Sequence, residues 1–247
     1  MYFEEYGNRE NPTIIFLHCA AIVEIYLNLY SLADRFHIIV PHLYGSGKEV
    51  ETDFSFEKNE KAICELLESN GLHNVFVFGH SEGANLALAL VSHYPTLFKK
   101  AIISSPMIDK TEKIAQKKAR FVGSMYGFVH SRLVGKIYVR FLGIKEKERA
   151  QFFLNYWSKI SKKTWQTYYT DRFTLENYPE YVGISVPILY LYGSKEPKII
   201  KETVETLHEL NEYSAIRVIS GFGHEHALKN SKALKKIIEA WFLDDAV

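Results

Sequence analysis

Short, almost purely apolar runs alternate along this chain with longer amphipathic stretches, and that alternation constrains the fold more than any other feature. Residues 13–19 (TIIFLHC), 36–41 (FHIIVP), 74–79 (NVFVFG), 100–104 (KAIIS), 186–193 (VPILYLYG) and 215–220 (AIRVIS) read as strands. A strand wetted on one side alternates apolar and polar residues. Runs without that alternation are buried on both faces, as in a parallel sheet covered by helices. Helical patterns fill the intervals: 56–70 ended by Gly71, 82–93 ended before Pro95, 198–211, and 229–242. Glycine and proline stand where helices must stop. Residues 2–6 read as one further strand. The expected fold class is α/β, a doubly wound and mostly parallel sheet.

Residues 107–182 break the rhythm. They hold no convincing strand, are rich in aromatics, and carry fifteen Lys and Arg against seven Asp and Glu, whereas the whole chain of 247 residues is nearly neutral at +1. That shift predicts an inserted helical subdomain over 107–182, with the main domain formed by 1–106 and 183–247. Length alone fits one large α/β domain, or one domain carrying an insertion. The overall charge balance argues against a nucleic-acid partner. Two cysteines, Cys19 and Cys64, cannot build a disulfide framework. The N-terminal residues lack a basic and then apolar leader pattern, and the most apolar stretch, 14–23, is too short to span a bilayer. A cytoplasmic protein without a membrane span is the expectation.

Gly79-His80-Ser81-Glu82-Gly83 lies between the strand NVFVF and the helix that starts at Glu82. In that strand–turn–helix setting a G-x-S-x-G run marks a nucleophilic serine on a sharp turn, where flanking residues must be small. The helix N-terminus aims its free N–H groups at charge developing beside Ser81. A plain βα turn with incidental glycines is the alternative. His224, after Gly221-Phe222-Gly223, lies on a loop at the same sheet edge as Ser81, the edge where open α/β sheets bind ligands. It is the candidate base; His226 reads as a surface or helix-start histidine, and His18, His42 and His80 as residues at strand ends. Glu196, just past the strand VPILYLYG, is the candidate orienting acid, with Asp109 past KAIIS as the alternative. No metal motif and no dinucleotide-binding glycine pattern is present, so no cofactor is expected.

Together these residues resemble the α/β-hydrolase superfamily over nearly the whole chain. Leu17-His18-Cys19-Ala20 sits where the family carries its His-Gly motif. The 41–47 segment PHLYGSG is similar to the Pro-Asp-x-x-Gly-x-Gly loop, residues 79–83 to the nucleophile elbow, 193–196 to the acid loop and 223–224 to the histidine loop. The resemblance implies that 107–182 is a helical cap, and that backbone N–H groups of Glu82 and Ala20 form an oxyanion hole. His18, Cys19 and His80 are candidate pocket-lining residues. Three residues depart from the family pattern: Cys19 replaces a glycine, His42 an aspartate, and Glu196 an aspartate. The first removes glycine's freedom in φ from the oxyanion loop.

The expected activity is hydrolysis of a small carboxylic ester or related acyl bond by a Ser-His-Glu triad through an acyl-enzyme. Thioester or carbon–carbon cleavage uses the same trio. A slow or non-catalytic ligand-binding protein on the same fold is the alternative of a different class. The excess positive charge of 107–182 reads either as solvated helix faces and attraction to the acidic remainder, or as steering of an anionic acyl substrate.

Overall fold

In the computed structural model, which describes residues 1–108 and 111–243, seven strands form one sheet in the order β1-β3-β2-β4-β5-β6-β7. They are β1 Phe3–Tyr6, β2 Thr13–Leu17, β3 His37–Pro41, β4 Val75–His80, β5 Phe98–Ser104, β6 Ile188–Gly193 and β7 Ser214–Ile219. All pairs are parallel except β1, which runs antiparallel to β3 and places Phe3 opposite Pro41. The central strands are buried along their length: every residue of β3, β4 and β6 is covered, which is why they show no polar alternation.

Helices α1 (Phe56–Ser69), α2 (Glu82–His93), α8 (Lys198–Glu209), α9 (His226–Lys229) and α10 (Ser231–Leu243) complete the main body. The Ser55 hydroxyl caps α1 by accepting from Lys58 N–H. Gly71 follows its end at φ +65, the left-handed conformation that lets the chain turn away. Helix α2 is apolar nearly all round, and Leu86 to Val91 have no exposed surface. Such a helix belongs inside, and here it packs against β4, β5 and β2. The apolar stretch after β2 becomes a 3₁₀ segment, Val23–Asp34, which lacks the 3.6-residue periodicity that sequence reading relies on. The last helical pattern, 229–242, becomes α10, and the short α9 precedes it across Asn230.

Between β5 and β6 the regular elements of the described chain are all helices: α3 (Glu112–Ser124), α4 (Tyr126–Val129), α5 (Arg132–Phe141), α6 (Lys147–Trp157), α7 (Lys162–Thr170) and a 3₁₀ turn at Pro179–Gly183. Its interior is aromatic, with Trp157 stacked on Phe153 and His130. Its positive charge is partly met across the junction with the main body. Arg149 Nη1 lies 2.9 Å from Glu4 Oε1, Lys159 Nζ 2.7 Å from Glu51, and Lys163 Nζ 3.2 Å from Asp53. No described helix is long and apolar enough to cross a membrane.

Strand order reverses between β2 and β4, because the chain goes from β2 to β3 on one side and then returns to β4 on the other. The carboxyl ends of these two strands, residues 17–20 and Ser81, therefore face the crevice where such sheets bind ligands.

Candidate active site

Ser81 bridges β4 and α2 with φ 57 and ψ −116, a conformation that L residues other than glycine rarely adopt. Such strain costs about 1–3 kcal/mol and persists only where neighbours enforce it. Here Ser81 N–H donates to Ser104 O at 2.9 Å, and Ser81 O accepts from the N–H groups of Ala84 and Asn85. The turn closes only because its flanks are glycine. A Cβ on Gly79 would lie 2.1 Å from Gly83 O, and one on Gly83 1.9 Å from Leu17 O. Small residues at these two positions let α2 approach the sheet, which aims the Ser81 side chain outward.

His224 follows β7 on a loop that meets the loop after β6. Its Nδ1 is 2.7 Å from Glu196 Oε1, with the histidine half exposed and the carboxylate buried. Gly193 lets the two loops touch, since a Cβ there would meet Phe222 O at 2.3 Å. Glu196 Oε2 accepts from Ser105 Oγ and from Gly193 N–H, both at 3.0 Å. Burial alone pushes this carboxyl up, but the hydrogen bonds from His224, Ser105 and Gly193 outweigh it and hold the acid below its usual range.

A further layer fixes the pair. Because the Ser105 proton goes to Glu196, His226 Nε2, 3.0 Å from Ser105 Oγ and 3.3 Å from Ser104 Oγ, must carry its own proton and donate. Ser104 is then free to donate to His80 Nδ1 at 2.9 Å. The His80 ring lies 4.8 Å from that of His224, centroid to centroid. Burial drives His80 well below the usual histidine range and His226 down to about 4, so both stay neutral. His226 opens α9, as the helix-start reading has it, but at 1 % exposure it is not a surface residue. Sequence reading also missed Ser104 and Ser105. Their one signal is the pair of hydroxyls at the carboxyl end of a buried strand.

Among the described residues Ser81 Oγ takes part in no hydrogen bond, so the serine is brought to the same sheet edge as His224 without a closed contact between them. The N–H groups of Glu82 and Ala20 likewise have no partner among the described residues. Ser81, Glu82 and Ala20 all line a cavity of about 100 Å³, together with Asn85 from α2 and Met107, Trp165, Tyr168, Tyr169 and Arg172 from the segment between β5 and β6. A larger cavity of about 480 Å³ adjoins it through Tyr169 and Arg172.

His18, Cys19 and His80 are not among the walls of the smaller cavity, contrary to expectation. His18 is fully buried, accepts from Leu43 N–H at 3.1 Å, and is held down at about 3 by burial. His80 belongs to the serine–histidine layer behind the site. Cys19 turns back to Ile22 in a β-bridge, and burial pushes its thiol up to about 12. The backbone strain expected at Cys19 falls instead on Ala21, at φ 61, whose N–H donates to Tyr168 Oη. His42 is structural: its Nδ1 accepts from Lys48 N–H, and its Nε2 lies 3.2 Å from Glu4. Asp109, the alternative acid, lies outside the described residues. Among those described, no group of three or more His, Cys, Asp or Glu could hold a metal ion.

A family model described as the alpha/beta hydrolase fold matches residues 12–230. Lipase 1 of Psychrobacter immobilis is 22% identical, over 97% of this chain and 82% of that protein. Among solved structures, a carboxylesterase of the ammonia-oxidizing thaumarchaeon Nitrososphaera gargenis superposes with a TM-score of 0.75 at 16% identity, covering 98% of this chain and 93% of that one. The thioesterase domain from the curacin biosynthetic pathway gives 0.73 at 16% identity, over 96% and 94%. At such identities the structural likeness is one of fold.

Proposed function

The chain belongs to the α/β-hydrolase family, and from that membership we propose that it is a serine hydrolase acting on a small carboxylic ester or related acyl bond under a helical cap formed by residues 107–182. Ser81 Oγ attacks the acyl carbonyl while His224 Nε2 takes its proton. Nδ1 of the same ring stays bonded to Glu196, which fixes the tautomer and balances the imidazolium. The N–H groups of Glu82 and Ala20 receive the oxyanion; losing one such donor raises a barrier by about 2.7–4 kcal/mol. As the tetrahedral adduct collapses, the carbonyl–oxygen bond breaks and the departing alkoxide takes the proton from His224. Water then repeats the sequence on the acyl-enzyme and frees the carboxylic acid and Ser81.

The 2.7 Å contact between His224 and a buried, hydrogen-bonded Glu196 carries this reading, because a histidine so oriented is what a serine base requires. A fluorophosphonate probe tests it. The expected result is labelling of Ser81, turnover of p-nitrophenyl butyrate, and loss of both in Ser81→Ala. A folded wild-type protein that resists the probe and the ester would instead be a ligand-binding member of the family.

A further inference from the structure

The cavity beside Ser81 has two unpaired polar atoms of opposite kind in its wall residues. Glu82 is 6 % exposed, and its Oε1 is buried with no hydrogen-bond partner. Trp165, from α7, has a buried indole N–H that is also without a partner. An acceptor and a donor left over in one cavity are costly unless something enters to pair them. Asn85 and Arg172, also in the wall, have partners of their own. Asn85 Oδ1 accepts from Met107 N–H at 3.2 Å. Arg172 Nη2 donates to the carbonyls of Tyr168 and Tyr169 at 3.2 and 2.9 Å, and its charge lies near enough to favour ionised Glu82.

We propose that this cavity is a subsite for a short substrate arm bearing a hydroxyl group, which donates to or accepts from Glu82 Oε1 and accepts from Trp165 Nε1. The proposal rests on the serine-hydrolase reading above, since it makes the arm part of the acyl group delivered to Ser81. A hydroxyl is donor and acceptor in one atom, so it meets both leftovers whichever protonation state Glu82 holds. An alkyl arm would expel water from the cavity and leave both atoms orphaned. A carboxylate arm could accept from Trp165 Nε1 but has no proton to donate to an ionised Glu82 Oε1. Size limits the arm: the cavity is about 100 Å³ against about 480 Å³ for its neighbour, so it suits a short hydroxyacyl chain.

The experiment compares p-nitrophenyl butyrate with p-nitrophenyl 3-hydroxybutyrate in the wild type and in Trp165→Phe, which keeps an aromatic ring and removes the donor. The wild type is expected to favour the hydroxy ester by about tenfold in kcat/KM, the worth of one or two neutral hydrogen bonds, and Trp165→Phe to bring the ratio close to one. A companion measurement needs no turnover: binding of butyramide and 3-hydroxybutyramide to Ser81→Ala, followed by the ¹⁵N–¹H signal of the Trp165 indole, assigned by its loss in Trp165→Phe. Tighter binding of the hydroxyamide with movement of that signal supports the subsite, even if neither ester is cleaved and the hydrolase reading falls. Equal binding of the two amides with a stationary indole signal, or an unchanged ester ratio in Trp165→Phe, overturns the subsite and leaves the hydrolase reading standing.

Discussion

Burial pushes the Glu82 carboxyl up to about 8, although the nearby Arg172 charge opposes this. An unfolded glutamate titrates near about 4.3, so between the two values the folded state holds more protons and stability falls as pH rises. Glu82→Gln removes that slope. Its melting temperature relative to wild type should climb from about pH 4 to about pH 8, the wild type losing up to roughly 1.4 kcal/mol per pH unit at the steepest. A flat difference over that range would mean that folding leaves Glu82 ionised. At Glu196, replacement by glutamine keeps the volume but removes the carboxylate that orients His224 Nδ1–H. Fold and melting should persist while kcat drops by about a thousandfold or more, whereas Asp109→Asn leaves kcat near wild type. The opposite kinetic pattern would move the acid role to Asp109. Cys19 carries a thiol that burial pushes up to about 12, so it should react slowly with iodoacetamide at neutral pH, and Cys19→Ala should change kcat modestly. Rapid alkylation with parallel loss of activity would place the thiol in the site.

Helix α6 is tied to the sheet through charge. Arg149 reaches Glu4 on β1 and lies 3.4 Å from Glu24 at the start of the Val23–Asp34 segment, while Tyr156 Oη donates to Glu24 at 2.5 Å. Glu24 has no exposed surface, and burial pushes it up to about 7 despite those partners. Taking away one member of a buried pair leaves the other uncompensated, which costs about 3–5 kcal/mol. Arg149→Met should therefore lower the urea midpoint by that equivalent and speed amide exchange in α6 more than in β4. Unaltered unfolding would show that solvent or protonation relieves Glu24 without the arginine. The same logic explains the crossing of α2 over β2: Gly83 sits so close to Leu17 O that any side chain there would lift the helix and the Ser81 turn with it.

Over the whole molecule, positive charge collects on residues 107–182, between β5 and β6. Part of it is consumed at the junction by Glu4, Glu51 and Asp53; Lys113, Lys117, Arg120, Arg132, Lys136 and Arg140 remain on exposed positions of α3 and α5. A surface field of one sign can raise association rates by about 10–1000-fold for an oppositely charged substrate. Its reach shrinks as the Debye length falls from about 10 Å at 0.1 M salt to about 3 Å at 1 M. An aryl ester with a carboxylate on its leaving group should therefore show a kcat/KM that declines across this range, while its neutral analogue holds steady. Identical salt profiles for the two esters would reduce the basic face to solvation.

Much of the scaffold was legible in the residues themselves. Strands buried on both faces must be apolar nearly throughout, and a serine on a strained turn must have small neighbours, so β2 to β6 and the 79–83 turn are written locally, while β7, at the sheet edge, leaves Arg217 and Val218 exposed. Helix ends at Gly71 and before Pro95 are local too. The layer behind the site is not. Ser104 and Ser105 meet His226 only because β5 lies between β4 and β6, which brings the hydroxyls at and just past the end of β5 against a histidine more than 120 residues away. Sequence spacing carries no record of such a pairing. The sequence alone therefore determined the sheet, the elbow and the strand-end loops that hold Ser81, Glu196 and His224. Only the tertiary structure decided which histidines are buried and neutral, that the turn after β2 strains Ala21 rather than Cys19, and that Trp165 meets Glu82 across one cavity. Burial and long-range hydrogen bonding arise when distant segments exclude water from each other, and neither exists until they have met.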